Sequence, residues 1–153
     1  MHQTGIPWND PSGNRLREWL GLDHQTFYDE SRIAIFPMGF CYPGVDEHGG
    51  ENPPRPECAP LWQRRFLALM PRIELTLLIG SYAQVFHLGA GHPGAGRKRS
   101  MSETVAAWRE HPEHLLALPH PSWRNTGWLN RNPWFARELL PVLRRRVAGL
   151  IAG

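Results

Sequence analysis

The stretch that decides the fold is residues 115–125, which read LLALPHPSWRN. Its first four residues form an apolar run typical of a short buried strand. Pro119 and Pro121 then flank His120, and because proline fixes φ and lacks a backbone N–H, neither can extend the strand or start an ordinary helix there. The sequence therefore predicts a stiff loop that holds the His120 imidazole at the carboxyl end of a strand, where open α/β sheets bind their ligands.

The residues that follow Pro121 carry groups suited to a nucleic acid. Ser122, Arg124 and Asn125 have hydrogen-bond donors that match phosphate oxygens, and Trp123 adds a flat apolar surface. The plainer interpretation is a proline-rich surface turn that carries one solvated histidine. The segment by itself leaves both interpretations open.

Length and composition indicate one soluble globular domain, residues 1–153. The chain has 153 residues, of which 41% are hydrophobic and 20% charged, so it has enough apolar residues for a core and is not typical of a disordered protein. No apolar run approaches the length of a membrane span, and the first residues, MHQTG, do not form a signal peptide. We therefore expect a cytoplasmic protein with no membrane partner, and we expect it to be a monomer.

Charge is distributed unevenly along the chain. Residues 1–58 carry nine acidic and four basic residues, a net charge of −5, whereas residues 59–153 carry five acidic and thirteen basic residues, a net charge of +8. A basic half is the electrostatic footprint of a polyanionic partner, most commonly a nucleic acid, and the run Arg97-Lys98-Arg99 is a candidate contact to its backbone. A solvated charged surface is the alternative, and charge alone does not exclude it.

Apolar periodicity and capping signals predict the secondary structure. Buried strands are expected at residues 33–36, 74–80 and 115–118. Helices are expected at 11–20, 24–28, 56–70, 82–88, 102–111 and from 132 onward, with Asp10, Ser81 and Ser102 as N-caps and a bend at Pro141. For the helix at 56–70, the expected inner face is Leu61, Trp62, Phe66, Leu69 and Met70.

The alternation of helices with strands that are apolar on both faces predicts an α/β fold. The expected architecture is a three-layer α/β/α sandwich around a short parallel sheet. Three strands make a thin sheet for this class, and the chain begins with a loop where a strand is usual.

Trp8 and the two cysteines are further candidates for a site. Trp8 lies in a loop rich in glycine and proline. A tryptophan in such a loop more often packs against the core, although the recognition of a planar base also requires an aromatic face. Cys41 and Cys58 are the only cysteines, and each lies in a loop near prolines. Two thiolates are half of a four-ligand metal site, which His48 and other histidines could complete, whereas two unrelated thiols are the simpler interpretation.

Taken together, these elements resemble the uracil-DNA glycosylase superfamily, and within it the iron–sulfur bacterial and archaeal branch and its close relatives. The elements occur in order along nearly the whole chain. They are Gly5-Ile6-Pro7-Trp8 with Gly13 and Leu16, residues 41–43 and 53–58 with their two cysteines, Leu75 to Gly80 with Ala83, and His120-Pro121-Ser122.

The resemblance implies an enzyme of base excision repair, a glycosidase-type hydrolase that acts on uracil-containing DNA. Such an enzyme flips the damaged nucleotide out of the stack and hydrolyses its N-glycosidic bond. His120 would be catalytic, donating a hydrogen bond to the uracil oxygen on which negative charge develops, and Trp8 would stack on the base. The DNA-binding residues would be Ser122, Trp123, Arg124 and Asn125. They would bind phosphates or fill the gap that the flipped nucleotide leaves in the duplex.

The resemblance also implies a 4Fe-4S cluster, for which Cys41 and Cys58 would supply two of the four ligands. Upstream of Gly5, nothing matches the family's first strand, its Gly-rich water-positioning motif or its upstream Cys-x-x-Cys pair. Residues 36–39 also stand where many members read the uracil edge with an asparagine. We therefore expect an N-terminally truncated chain that by itself binds no intact cluster and has little or no activity.

Two other functions stay open. One is a divergent member of the family that binds uracil-containing DNA without cleaving it. The other is a small zinc-binding module built on Cys41, Cys58 and histidines. The sequence does not distinguish uracil from deaminated purines, nor double-stranded from single-stranded DNA.

Overall fold

The computed structural model describes residues 5–48, 52–89 and 99–153, which form two compact units. Unit 1 combines Met1–Ile35 with Leu118–Gly153, and unit 2 is Phe36–Ala117. The single domain expected from the sequence stays a prediction. In the basic run, Arg97 and Lys98 lie outside the described residues, whereas Arg99 forms a salt bridge of 2.9 Å with Glu110.

Unit 1 begins with helix α1, Pro11–Leu20, whose two ends form as predicted. The Asp10 carboxylate accepts a hydrogen bond from the Gly13 N–H at 2.8 Å, and Pro11 occupies the first turn, where its missing N–H has no cost. Gly21 ends the helix with a φ of 70°, a left-handed conformation that glycine adopts without steric penalty. Helix α2, His24–Phe27, follows, and hydrogen bonds from Thr26 hold the pKa of its N-cap, Asp23, below the usual value.

The C-terminal part of unit 1 supplies the other half of its core. Helix α6 is Thr126–Arg131, a π-helical turn spans Phe135–Leu139, and helix α7 is Leu140–Ala152 and packs against α1. The π turn directly precedes Pro141, which cannot donate to the carbonyl one turn earlier, and the bend expected at this proline stays a prediction. The buried side chains of α1, the π turn and α7 include Leu16, Trp19, Leu20, Phe135, Leu139, Leu143 and Val147. None of the helices in the described ranges is long and apolar enough to cross a membrane.

Unit 2 contains the sheet and confirms the α/β class. Its elements are helix α3 (Cys58–Ala68), strand β1 (Thr76–Ile79), helix α4 (Ser81–Leu88), helix α5 (Met101–Ala106) and all but the last residue of strand β2 (Leu115–Leu118). Strands β1 and β2 form a short parallel sheet, and α4 packs against β1 and α5. All four residues of β2 are buried, as the apolar run predicts. The strand directly before His120 is therefore firmly anchored.

The strand predicted at residues 33–36 is wrong, because this segment joins no sheet in the described part of the chain. The backbone N–H of Ile33 instead donates to the Asp29 carbonyl at 2.9 Å, which closes a turn. Pro37 follows directly and restricts the residue before it. The sheet in the described residues therefore has two strands where three were expected.

Two predicted N-caps are also wrong. Helix α5 is capped by Ser100 and not by Ser102: the Ser100 side chain accepts from the Glu103 N–H while the Glu103 carboxylate accepts from the Ser100 N–H. This reciprocal pair is a capping box, and only Ser100 has a glutamate three residues later. Helix α4 begins at Ser81 itself, so Gly80 is its N-cap and no side chain caps it.

The predicted inner face of α3 is largely wrong. Leu61, Trp62 and Leu69 are exposed, whereas the buried side of the helix consists of Cys58, Ala59 and Gln63. Gln63 is buried because its side-chain amide donates to the Pro37 carbonyl at 2.7 Å. Hydrogen bonding to an irregular loop has overridden the apolar periodicity of this helix.

Candidate active site

His120 lies in unit 1 on a loop that its two neighbours immobilise. Pro119 and Pro121 are fully buried, whereas His120 between them is exposed. Proline has a fixed φ, and burial of both rings leaves the loop little freedom to move. The stiff loop predicted from the sequence is present, and it presents the imidazole outward two residues after β2 ends.

Hydrogen bonds fix both the orientation and the tautomer of the His120 ring. The backbone N–H of Ser122 donates to His120 Nδ1 at 3.2 Å, and the Asn125 side-chain amide donates to the His120 carbonyl at 2.7 Å. A backbone N–H is only a donor, so Nδ1 must accept and the ring hydrogen lies on Nε2. The outer nitrogen of His120 is therefore a neutral hydrogen-bond donor.

Arg15 on α1 ties this loop to the rest of unit 1. Its Nη1 donates to the Ser122 carbonyl at 3.1 Å and lies 3.4 Å from the Thr126 hydroxyl. The residues between these two contacts form a tight 3₁₀ turn, Trp123–Asn125, closed by a bond of 3.1 Å from the Asn125 N–H to the Ser122 carbonyl. Arg15 was not predicted from the sequence, because nothing in a helical pattern signals a long-range contact to a backbone carbonyl.

Trp8 lies against His120, so the structure brings together the two residues predicted to contact the base. The centroids of the two rings are 5.3 Å apart and their planes meet at 34°. Trp8 is half-buried, so its indole is partly packed and partly accessible. An aromatic face beside a neutral donor is the chemistry required to recognise a planar base that has a carbonyl oxygen.

The backbone around Trp8 is unusual. Trp8 has a φ of 59°, and it is the one non-glycine residue with a positive φ in the described chain. Its carbonyl oxygen packs directly on Gly13 in the first turn of α1, where a Cβ atom would lie only 1.6 Å from that oxygen. The loop and the helix therefore fit together only with glycine at position 13.

The four residues predicted to bind DNA divide into two groups. Ser122 and Asn125 are half-buried and engaged in holding the His120 loop, through the hydrogen bonds given above. Trp123 and Arg124 point into solvent: the Trp123 side chain is 76% exposed, and the Arg124 guanidinium carbon lies 5.9 Å from its ring centroid. The exposed Trp123 ring is suited to stacking on a base, and the Arg124 guanidinium beside it is suited to contacting a phosphate.

The two cysteines lie in unit 2 and do not fit a 4Fe-4S cluster by themselves. Cys41 is exposed, Cys58 is buried at the start of α3, and both are free thiols. Such a cluster needs four sulfur ligands, and residues 1–153 contain two cysteines. Within the described ranges no three histidine, cysteine, aspartate or glutamate side chains are grouped as metal ligands, so a zinc module gains no support there.

One comparison with known proteins bears on these features. A family model described as the uracil DNA glycosylase superfamily matches residues 1–144. The match spans 144 of the 153 residues and includes α1, both strands, Trp8 and the His120 loop. On this evidence the chain belongs to the uracil DNA glycosylase superfamily.

Proposed function

We propose that this protein is a DNA glycosylase that excises uracil from DNA by hydrolysis of the N-glycosidic bond after base flipping. Membership of the superfamily supports glycosylase chemistry on DNA. The observation that carries the proposal is His120, an exposed neutral donor on a rigid loop with an aromatic ring 5.3 Å away.

The reaction needs what this site offers. When the bond between the sugar and uracil breaks, the electron pair leaves with the base, so the base becomes an anion and the sugar an oxocarbenium-like cation. The Nε2–H of His120 donates to the uracil oxygen on which that negative charge develops. A water molecule then adds its oxygen to the sugar carbon and loses a proton, and the base gains a proton from solvent. The neutral tautomer suits this role because its Nε2–H donates a hydrogen bond to the anion and keeps its proton.

Trp8 and the His120 loop would both bind the flipped base. The indole of Trp8 supplies a stacking face, and the fixed loop keeps the Nε2–H from swinging away as charge develops. Preorganised donors are effective because they need not reorganise during the reaction. Ser122 and Asn125 contribute by holding His120, which assigns them positioning roles in addition to any phosphate contact.

Trp123 and Arg124 are the residues we assign to the DNA itself. An exposed tryptophan can enter the base stack and fill the gap that the flipped nucleotide leaves, while the guanidinium contacts a phosphate. The Trp123 side chain, 76% exposed, makes little contribution to the fold and is available for this role.

Replacing Trp123 with alanine is expected to weaken binding to a uracil-containing duplex by roughly tenfold, since stacking one base on an aromatic ring contributes about 1–3 kcal/mol. Stability should change by less than about 0.5 kcal/mol, because the residue is on the surface. Fluorescence anisotropy with a labelled duplex measures the first, and urea unfolding measures the second. Leu69→Ala is the matched control, since Leu69 is 77% exposed in unit 2 and should not affect DNA binding. Unchanged affinity in Trp123→Ala would remove Trp123 from the DNA surface.

The assignment to the iron–sulfur branch is a further proposal. It requires two sulfur ligands in addition to Cys41 and Cys58, so no step of the mechanism above depends on a cluster. The proposed substrate is uracil, with other deaminated bases as candidates for the same site.

The direct test compares two oligonucleotides that differ only in uracil against thymine at one position. We expect residues 1–153 to bind the uracil-containing DNA more tightly and to form abasic sites slowly and only in it, detected by alkaline cleavage of the strand. Preferential binding with no abasic product would instead favour a DNA-binding member that does not cleave. Equal binding to both oligonucleotides would contradict uracil recognition altogether.

A further inference from the structure

We infer that Arg17 is a positioning residue: its buried guanidinium holds the backbone of Trp8 in a left-handed conformation and so keeps the indole against His120. The inference rests on the proposed function only for the consequence it draws for base binding. The structural part, that Arg17 controls the placement of Trp8, can be tested without DNA.

Trp8 needs an external restraint to stay where it is. Its φ of 59° is a conformation in which the Cβ of an L-residue crowds its own backbone, and a bulky side chain rarely adopts it. Such outliers persist when surrounding contacts impose them. The direction of the Cα–Cβ bond depends on this backbone conformation, so a relaxation of φ to negative values would move the indole away from the His120 ring.

The restraint consists of two hydrogen bonds to successive carbonyl groups. Arg17 Nη1 donates to the Trp8 carbonyl at 3.3 Å, and the Tyr28 hydroxyl donates to the preceding Pro7 carbonyl at 2.8 Å. Arg17 Nη1 also lies 3.4 Å from the Tyr28 hydroxyl, so the same guanidinium orients the second donor. Gly13 closes the other side, since the Trp8 carbonyl packs on its Cα. The Trp8 carbonyl is therefore contacted by Arg17 on one side and by Gly13 on the other.

The burial of the Arg17 guanidinium is unfavourable for the stability of the fold. The residue is only 9% exposed, on the face of α1 that also buries Leu16 and Leu20. None of the salt bridges in the described chain involves Arg17; its other contacts are the Asn14 side-chain oxygen at 2.5 Å and the rings of Phe27 and Tyr28, at 5.4 Å and 5.7 Å. A buried guanidinium without a carboxylate partner is unfavourable compared with an apolar side chain in a helix core. A positioning role accounts for the presence of this charge.

The test follows the Trp8 indole by NMR in protein labelled with ¹⁵N at the tryptophan side chains. The chain has seven tryptophans, and Trp8→Phe identifies the Trp8 indole signal by its disappearance. We expect Arg17→Met to shift and broaden that signal while the other six stay in place. Arg17→Lys, which can still donate to the Trp8 carbonyl, should keep it near its original position. An unshifted Trp8 signal in folded Arg17→Met would overturn the inference.

Arg144→Met is the matched control. Arg144 Nη2 also donates to a backbone carbonyl of α1, that of Glu18 at 3.0 Å, and none of the hydrogen bonds recorded for it in the described residues reaches the Trp8 loop. We expect this variant to leave the Trp8 signal unchanged. A shift of the same size in Arg144→Met would mean that any loosening of α1 disturbs Trp8, and this would overturn the specific role of Arg17.

Tyr28→Phe keeps the inference testable if Arg17→Met does not fold. This variant removes the hydroxyl that donates to Pro7 but keeps the ring under the guanidinium. It should shift the Trp8 signal in the same direction and by a smaller amount. A folded Tyr28→Phe with an unshifted signal would contradict the restraint as described.

The consequence for DNA separates this inference from the proposed function. We expect Arg17→Met to lose about tenfold in affinity for the uracil-containing oligonucleotide, the loss of one stacking contact, and nothing for the thymine oligonucleotide. If the wild-type chain shows no preference for uracil, the proposed function fails, while a shifted Trp8 signal still supports the hold of Arg17 on Trp8. If uracil preference is present and Arg17→Met retains it with Trp8 in place, the inference alone fails.

Discussion

Replacing His120 with alanine is expected to lower the rate of uracil excision by about 10²–10³-fold, the loss typical of removing one preorganised donor from a developing negative charge. Among the residues that the structure describes, the one ring contact recorded for Trp8 is that with His120. Binding to uracil-containing DNA should fall much less, because the stacking face of Trp8 stays in place.

The excision rate is best measured in a single turnover with protein in excess over DNA. This format reports the chemical step itself and detects even slow rates. His120→Gln is the informative companion, because a neutral amide N–H can donate from a similar distance and should retain part of the rate.

The control for the loss of an imidazole is His48→Ala. The His48 side chain is 85% exposed in unit 2 and should be neutral for excision. If His120→Ala cleaved as fast as the wild-type chain, the role of His120 as the donor to the leaving base would be withdrawn. If His120→Gln and His120→Ala were equally slow, the geometry of the imidazole, and not donation alone, would be the essential property.

The parts of the fold that the sequence predicted correctly depend on local physics. Helix α1 is bounded by an N-cap aspartate, a first-turn proline and a terminal glycine, and each acts within four residues of chain. Strand β2 is an uninterrupted apolar run that ends at Pro119, and it is buried along its whole length. Such signals need no knowledge of what the element packs against.

The errors arise where tertiary contacts override the local pattern. Residues 33–36 are as apolar as a strand, but a strand requires a partner strand. The turn closed at the Asp29 carbonyl and Pro37 at the other end prevent this segment from joining the sheet. Helix α3 has an apolar stripe, yet it buries Gln63, because a loop carbonyl offers that amide a partner. No periodicity within the helix contains this information.

The candidate site was predictable in its principal residues but not in its supports. His120 and Trp8 follow from the proline-flanked loop and from family resemblance, and the structure brings their rings together. Arg17 was overlooked, although a signal exists: it lies four residues after Gly13 and three before Leu20, on the inner stripe of α1, where an arginine is out of place. A charged residue on an apolar helical stripe is therefore a useful marker of a buried positioning role.

Replacing Gly13 with alanine is the second large effect that we expect, and it tests how the Trp8 loop and α1 fit together. The new Cβ would lie 1.6 Å from the Trp8 carbonyl oxygen and 2.5 Å from its carbonyl carbon, both backbone atoms that cannot rotate away. Alanine gains about 1 kcal/mol over glycine from helix propensity. The clash outweighs this gain: overpacking typically costs about 1–3 kcal/mol and occasionally more, and contact with fixed backbone atoms places this substitution at the upper end of that range. We expect a net loss of at least about 2 kcal/mol in the free energy of unfolding, or roughly 5 °C in Tm.

The same substitution should also impair uracil recognition, since relief of the clash requires either that the Trp8 carbonyl moves off the helix or that the first turn of α1 opens. Both movements separate the indole from His120, so the preference for uracil over thymine should fall along with the Tm. Gly149→Ala in α7 is the matched control: a Cβ there meets no atom within 4 Å, so helix propensity alone acts. That variant should be more stable by about 0.5–1 kcal/mol and bind DNA as the wild type does. Equal stability of Gly13→Ala and the wild type would show that the Trp8 loop does not rest on α1, and the geometric basis for stacking a base beside His120 would be lost.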